Sequence, residues 1–234
     1  MARRGTLFTV SAPSGAGKTS LLAELVKQLP DIRVSVSHTT RAMRPGERDG
    51  IDYHFVTEPE FLAMLDQAEF LEHARVFNNL YGTSQHWVEE QLHNGTDVVL
   101  EIDWQGAAQV RRLLPDCVRV FILPPSIDTL MTRLTSRRQD PPEVIQQRLA
   151  QAREEISHYV EADYLIVNDQ FDTALDELLA VVKSQRLTLG AQEWRFQALL
   201  QALLSCAGFY GKMTDRQPNG GQLSLSAAKP RPDY

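Results

Sequence analysis

Short apolar runs alternate with longer stretches whose apolar residues recur at helical spacing. Leu7 to Leu22 reads LFTVSAPSGAGKTSLL: a β-branched apolar run, a turn holding two glycines, then aliphatic residues on one helical face. Arg33–Ser37 and Asp52–Val56 alternate like short strands, and the polar loop His38–Gly50 lies between them. Thr57 and Glu60, with Pro59 in the first turn, have the spacing of a helix capping box. Glu69–Phe77 and the Tyr81 region read as further strands. Gln85–His93 predicts a helix that Asn94-Gly95 ends.

Buried-strand patterns then recur at Asp97–Ile102, Val118–Leu123 and Tyr164–Val167. Between them lie a helix through Leu114, one capped by Ser126 and running to about Arg138, and one opened by Pro141-Pro142 and ending near Tyr159. Phe171–Leu204 is mostly helical. Strands alternating with helices predict an α/β fold with a parallel sheet flanked by helices. The short strands at about 34–83 break that rhythm and predict an inserted, mostly antiparallel lobe. The main domain is expected to span 1–207. Residues 208–234, rich in Gly, Pro, Ser and Lys, are expected to be a disordered tail.

Composition narrows the class without naming it. At 234 residues, 43% hydrophobic and 23% charged, the chain is an ordinary globular protein. A formal net charge of -6 argues against non-specific nucleic-acid binding. Cys117 and Cys206 lie far apart and imply neither a disulfide nor a metal framework. No stretch approaches a membrane span, and Met1–Gly5 lacks the apolar core of a signal peptide, so the cytoplasm is the expected location.

The first turn carries the first chemistry. A glycine-rich loop between strand and helix turns backbone N–H groups inward toward phosphate oxygens, and the helix dipole adds to the attraction. The loop is Ala12, Pro13, Ser14, Gly15, Ala16 and Gly17, followed by Lys18, Thr19 and Ser20. Ala12 stands where the strict motif has its first glycine, a residue that mainly serves the exit from the strand. Lys18 can reach the outer phosphates of a nucleoside triphosphate, and the Thr19 hydroxyl can hold Mg²⁺.

Five segments, SAPSGAGKTS, SVSHTTRAMRPGERDGIDY, FLEHARVFNNLYGTS, LEIDWQGA and YLIVND, occur in the order and spacing of guanylate kinases, and the chain resembles that family from Gly5 to about Ala207. The resemblance implies a phosphate-loop kinase fold with a GMP-binding lobe at about 34–83 and a helical lid at about 126–158. It implies transfer of the γ-phosphoryl group of ATP to GMP, and to dGMP, with Mg²⁺ as cofactor, in purine metabolism and GMP recycling. Nothing here identifies a reader of the 2′-hydroxyl, and the oligomeric state is left open.

The same resemblance assigns residues. Arg41 and Arg44 match the pair clamping the GMP phosphate, Tyr53 and Tyr81 donate hydroxyls to it, and Glu47 holds the arginine loop. Glu72 matches the carboxylate reading guanine, Ser37 the hydroxyl facing O6, and Thr83 a further hydroxyl at the base. Guanine's N1–H and N2–H₂ are adjacent donors that suit a carboxylate, whereas adenine would turn its unprotonated N1 toward that charge. Glu101 and Asp103 match acidic positions facing the acceptor nucleotide and the Mg²⁺–lysine region, Asp103 acting on the metal through water. The family often has Asp where this chain has Glu101. Arg133, Arg137 and Arg148 match the lid over ATP, with Lys18, Arg44, Arg137 and Arg148 as catalytic cations, and Asn168 matches a contact on the adenine side.

Two other readings compete. A ribosyl bisphosphate kinase on the same scaffold would have no use for Ser37, Glu72 and Tyr81. A phosphopeptide-binding module would not need Gly15, Gly17, Lys18 and Thr19 intact, and would be expected to adjoin further domains for which the length leaves little room.

Overall fold

The computed structural model describes residues 4–76, 78–136 and 142–205. The chain divides into two compact units between Ala191 and Gln192. The tail expected at 208–234 lies outside the described residues.

Unit one is built on two sheets. The first comprises β1 (Leu7–Ser11), β2 (Ile32–Val34), β7 (Asp97–Glu101), β8 (Val118–Leu123) and β9 (Tyr164–Val167). Their order is β2-β7-β1-β8-β9, and every pairing is parallel. All five residues of β1 are buried, as expected for a central strand covered on both faces. On one face Phe8, Val10 and Val120 pack with Leu21, Leu22 and Leu25 of α1 (Lys18–Gln28) and Leu178 and Val182 of α7 (Phe171–Gln185). On the other, Leu7, Val98 and Leu100 pack with Val88 and Leu92 of α3 (Gln85–His93) and Val110 of α4 (Trp104–Leu113).

The second sheet holds β3 (His38–Thr39), β4 (His54–Phe55), β5 (Phe70–Val76) and β6 (Asn79–Ser84) in the order β4-β3-β6-β5. β6 pairs antiparallel with both β3 and β5, whereas β3 pairs parallel with β4. Of the strand expected at Arg33–Ser37, Arg33 and Val34 belong to β2, and residues 35–37 cross between the sheets. Ser35 N–H donates to Val99 O at 3.0 Å, the chain then leaves, and His38 pairs with Gly82. α2 (Glu58–Asp66) starts with the expected capping box and buries Phe61, whose ring stacks on Phe70 at 4.5 Å.

α5 (Ile127–Ser136) begins with Ser126 Oγ accepting from Thr129 N–H at 3.0 Å. It packs through Leu130 and Leu134 against Leu149 and Ala152 of α6 (Pro142–Ser157). α8 (Leu189–Arg195) crosses the division between units. α9 (Gln197–Ser205) belongs to the second and exposes Leu199, Leu203 and Leu204. Among the described residues no helix is long and apolar enough to cross a membrane.

Candidate active site

A cleft of about 410 Å³ lies at the carboxyl ends of β1 and β7, where open α/β sheets bind ligands. The phosphate loop lines one side, and Ser37, Arg41, Arg44, Glu47, Tyr53, Glu72 and Tyr81 line the other, with Glu101 and Asp103 also on its wall.

The loop works through its backbone. Ala16 N–H closes a turn onto Pro13 O at 3.0 Å, and Gly15 and Gly17 have φ of +92° and +97°, left-handed values that favour glycine. Ala12 packs against the core beneath, so a methyl group suits the strand's exit. Lys18 and Thr19 open α1, whose first amides have no intrahelical acceptor. Lys18 Nζ donates to Ile102 O at 3.1 Å, which holds the ammonium in the cleft.

Two residues expected at the donor nucleotide bond to the loop. Asn168 is only 4% exposed, and its Nδ2 donates to Ala16 O at 2.7 Å, so close to Gly17 that a Cβ there would lie 2.3 Å away. Arg133 directs Nη1 to Ala16 O at 3.3 Å and Nη2 to Asn168 O at 2.9 Å. Both residues donate to Ala16 O, and neither lines the cleft. Ser20 lies in the first turn of α1, exposed and not on the cleft wall. Arg137 lies outside the described residues. Arg148 is a helical position of α6, and its side chain lies outside them as well.

The opposite wall works through side chains. Arg41 Nη2 donates to Glu47 Oε1 at 2.7 Å, and Glu47 Oε2 accepts from Arg44 N–H at 2.7 Å, so one carboxylate ties the arginine loop together. The hydrogen bond from Arg41 holds the Glu47 carboxyl below its ordinary range. Arg41 lies over the Tyr53 ring at 5.3 Å, and Tyr53 meets Tyr81 edge-on at 5.9 Å. Burial pushes the Tyr53 hydroxyl up to about 12, with Glu101 and Tyr81 adding to the rise, so it stays a donor at neutral pH.

Glu72 is only 3% exposed. A register shift between Phe70 and Glu72 places it opposite Thr83, a bulge of the kind that re-aims a side chain. Thr83, expected to touch the base itself, is 1% exposed and donates its hydroxyl to Glu72 Oε1 at 2.5 Å. It stands behind the carboxylate because β6 turns it into the core, and Ser37 Oγ lies 3.4 Å from its hydroxyl. Burial drives the Glu72 carboxyl up to about 7. Thr83 pulls the other way, and the charge of Asp103 adds to the rise.

The two carboxylates at the carboxyl end of β7 divide their work. Glu101 Oε1 accepts from Thr19 Oγ1 at 2.5 Å. Asp103 Oδ1 instead caps α4, accepting from Gly106 N–H at 2.9 Å. Asp52 and Glu155 line the cleft without a sequence signal: Asp52 accepts from Arg48 N–H at 2.7 Å, and Glu155 of α6 accepts from Ser14 N–H at 3.1 Å. In the chain Glu155 reads as one more carboxylate of an exposed helix. Burial raises its carboxyl above the usual range, while the Ser14 amide and Lys18 oppose the rise.

A parallel sheet delivering a glycine-rich loop and lysine to one wall of a cleft, and an arginine-rich lobe to the other, defines a phosphate-loop kinase fold. The family model for guanylate kinase matches residues 4–185, and the chain belongs to the guanylate kinase family. It is 59% identical over 205 residues to the guanylate kinase of Saccharophagus degradans, covering 88% of this chain and 100% of that one. The guanylate kinase of Alcanivorax borkumensis is 58% identical over 205 residues, covering 88% and 99%. The crystal structure of guanylate kinase from Anaplasma phagocytophilum aligns with a TM-score of 0.69 at 33% identity, covering 83% of this chain and 95% of that one.

Proposed function

We propose that this chain transfers the γ-phosphoryl group of ATP to GMP, giving ADP and GDP, with the two nucleotides entering from opposite walls of the cleft. The observation that carries the reading is the pairing of a phosphate loop with the buried carboxylate of Glu72 across one cavity. The GMP phosphate is largely dianionic at neutral pH, its second pKa being about 6, so the attacking oxygen needs no strong general base. A bond forms from that oxygen to the γ-phosphorus as the bond to the β-phosphate oxygen breaks. The protein's task is to align two anions and offset their charge.

Arg41, Arg44, Tyr53 and Tyr81 hold the acceptor phosphate, and Glu47 fixes the arginine loop. Glu72 accepts from guanine N1–H and N2–H₂, backed by Thr83, with Ser37 facing O6. Lys18 and the amides of Gly15 to Thr19 hold the outer phosphates of ATP. Arg137 and Arg148, both within the lid expected at about 126–158, complete the set of cations. The hard oxygens of Thr19 and Glu101 suit Mg²⁺, and among the described residues no cluster of three or more His, Cys, Asp or Glu could cage a metal by itself. That fits an ion held largely by phosphates and water, which would draw charge from the oxygens of the transferring group. A cytoplasmic location goes with this reading.

The test is ADP release from Mg·ATP with GMP, AMP or ribose 1,5-bisphosphate as acceptor. Turnover dependent on GMP is expected. Turnover only with the bisphosphate contradicts the reading, as does GMP binding without any turnover.

A further inference from the structure

Gly106 lies in the first turn of α4 and is buried, next to Glu72 Oε2, whereas Thr83 bonds Oε1. A Cβ at this position would lie 2.3 Å from Glu72 Oε2 and 3.1 Å from Glu72 Cδ, with Ile102 Cβ at 3.4 Å behind it. Real Cβ atoms do not approach oxygen so closely, so the carboxylate takes its observed position only because residue 106 has no side chain. Glu72 cannot simply turn aside, since Oε1 accepts from the buried Thr83 hydroxyl at 2.5 Å.

The helix cannot simply back away either. Three residues further along α4, Gln109 grips the backbone of His73, next to Glu72. Its Nε2 donates to His73 O at 2.7 Å, and its Oε1 accepts from His73 N–H at 3.1 Å. Positions 106 and 109 share one helical face, so the same face fixes the register of α4 on β5 and closes over the carboxylate. The turn is further pinned where Asp103 Oδ1 accepts from Gly106 N–H.

We infer that Gly106 and Gln109, neither of which lines the cleft, are specificity-determining residues that set the plane of the Glu72 carboxylate and with it the preference for guanine. The inference rests on the reading of Glu72 as the acceptor of guanine's two donors. Both carboxylate oxygens must face the base edge for N1–H and N2–H₂ to be received together. A methyl group at 106 forces Oε2 out of that plane, so one of the two bonds is lost while the phosphate contacts stay. The altered site then treats GMP much as it treats IMP, which lacks the N2 amino group.

The experiment measures dissociation constants for GMP, IMP, AMP and ATP in the wild-type full chain, Gly106→Ala and Gln109→Met, with melting temperatures alongside. Gly106→Ala is expected to weaken GMP by about tenfold or more and to narrow the GMP-to-IMP ratio by a similar factor, with ATP affinity unchanged. Gln109→Met, which removes both bonds to His73, is expected to shift the same ratio by about threefold. Alanine for glycine inside a helix ordinarily steadies the helix, so a purely structural role for Gly106 would move the melting temperature and leave the ratio alone. An unchanged GMP-to-IMP ratio in a folded Gly106→Ala overturns the inference, and if that variant does not fold, an unchanged ratio in Gln109→Met does so. A wild-type chain binding GMP no better than AMP overturns the reading of Glu72 itself, and the inference with it.

Discussion

The two walls of the cleft solve the problem of holding a nucleotide in opposite ways. The phosphate loop presents backbone amides at the junction of β1 and α1, a unit within one continuous stretch of chain. The facing lobe presents Ser37, the arginine loop, Tyr53 and side chains from β5 and β6, and its central carboxylate is kept in place by a threonine and a helix that pack against it. A backbone site tolerates a changed side chain where the amides keep their direction, as Ala12 in place of the motif's first glycine illustrates. A side-chain site depends on residues that never meet the ligand.

The largest expected effect falls on the loop wall. Lys18→Ala should lower kcat by about three orders of magnitude or more, since it removes a charge aimed at the transferring group. GMP binding, measured calorimetrically without ATP, should be nearly unchanged. Loss of GMP binding in that variant would show that the walls are not separable. On the other wall, Arg41→Ala or Arg44→Ala should weaken GMP by about 10- to 100-fold, the range for a charged hydrogen bond, and leave the affinity for ATP intact. The Arg41 variant also releases Glu47, so it should be the more damaging of the two.

Glu72→Gln separates base from phosphate. It should cut the preference for GMP over AMP by about 10- to 100-fold, read from the ratio of kcat/KM values. pH gives an independent check. The Glu72 carboxyl titrates near 7 in the folded protein, and guanine's donors need its ionised form. GMP affinity should therefore rise from pH 6 toward pH 8 and level off above it. Glu72→Gln should keep only the part of that rise due to the nucleotide's own phosphate. The sign for stability is the reverse. A carboxyl raised above its ordinary 4.5 binds its proton more tightly when folded, so the chain loses stability as pH climbs from 4.5 through about 7, with no further loss from this group above that. Identical pH profiles for wild type and Glu72→Gln would remove Glu72 from base recognition.

The smallest effect tests the support of the loop. Asn168→Ala removes the amide bond to Ala16 O and should cost about 1–3 kcal/mol of stability in denaturant titration. It should raise KM for ATP severalfold with KM for GMP unmoved. A change in KM for GMP alone would place Asn168 on the wrong wall.

The contrast also explains what could be read from the chain. The strand, loop and first helix were legible because apolar period, glycines and lysine lie within sixteen residues, and α2 and α3 because their caps are local. The early end of β2 within RVSVS was not, since the alternation continues through residues 35–37, where the chain crosses to the other sheet. Nor was the bulge at Phe70 to Glu72, where three successive residues are buried and a period of two no longer applies. Arg41, Glu47, Tyr53 and Glu72 were found through the resemblance and do converge on one cleft, while the bonds of Asn168 and Arg133 to Ala16 O and of Thr83 to Glu72 left no signal in the chain. Glu155 meets Ser14 from 141 residues away, and Gln109 meets His73 from 36, so neither contact leaves a mark in the local pattern.

The central claim is that one wall takes the acceptor's base and phosphate and the other takes the donor's phosphates. A crystal structure with GMP alone tests it most directly. The guanine edge is expected within about 3 Å of both Glu72 carboxylate oxygens, with the phosphate between Arg41, Arg44, Tyr53 and Tyr81 and the loop free of nucleotide. A guanine ring away from Glu72, or a GMP phosphate seated on Lys18 and the loop amides, would contradict it.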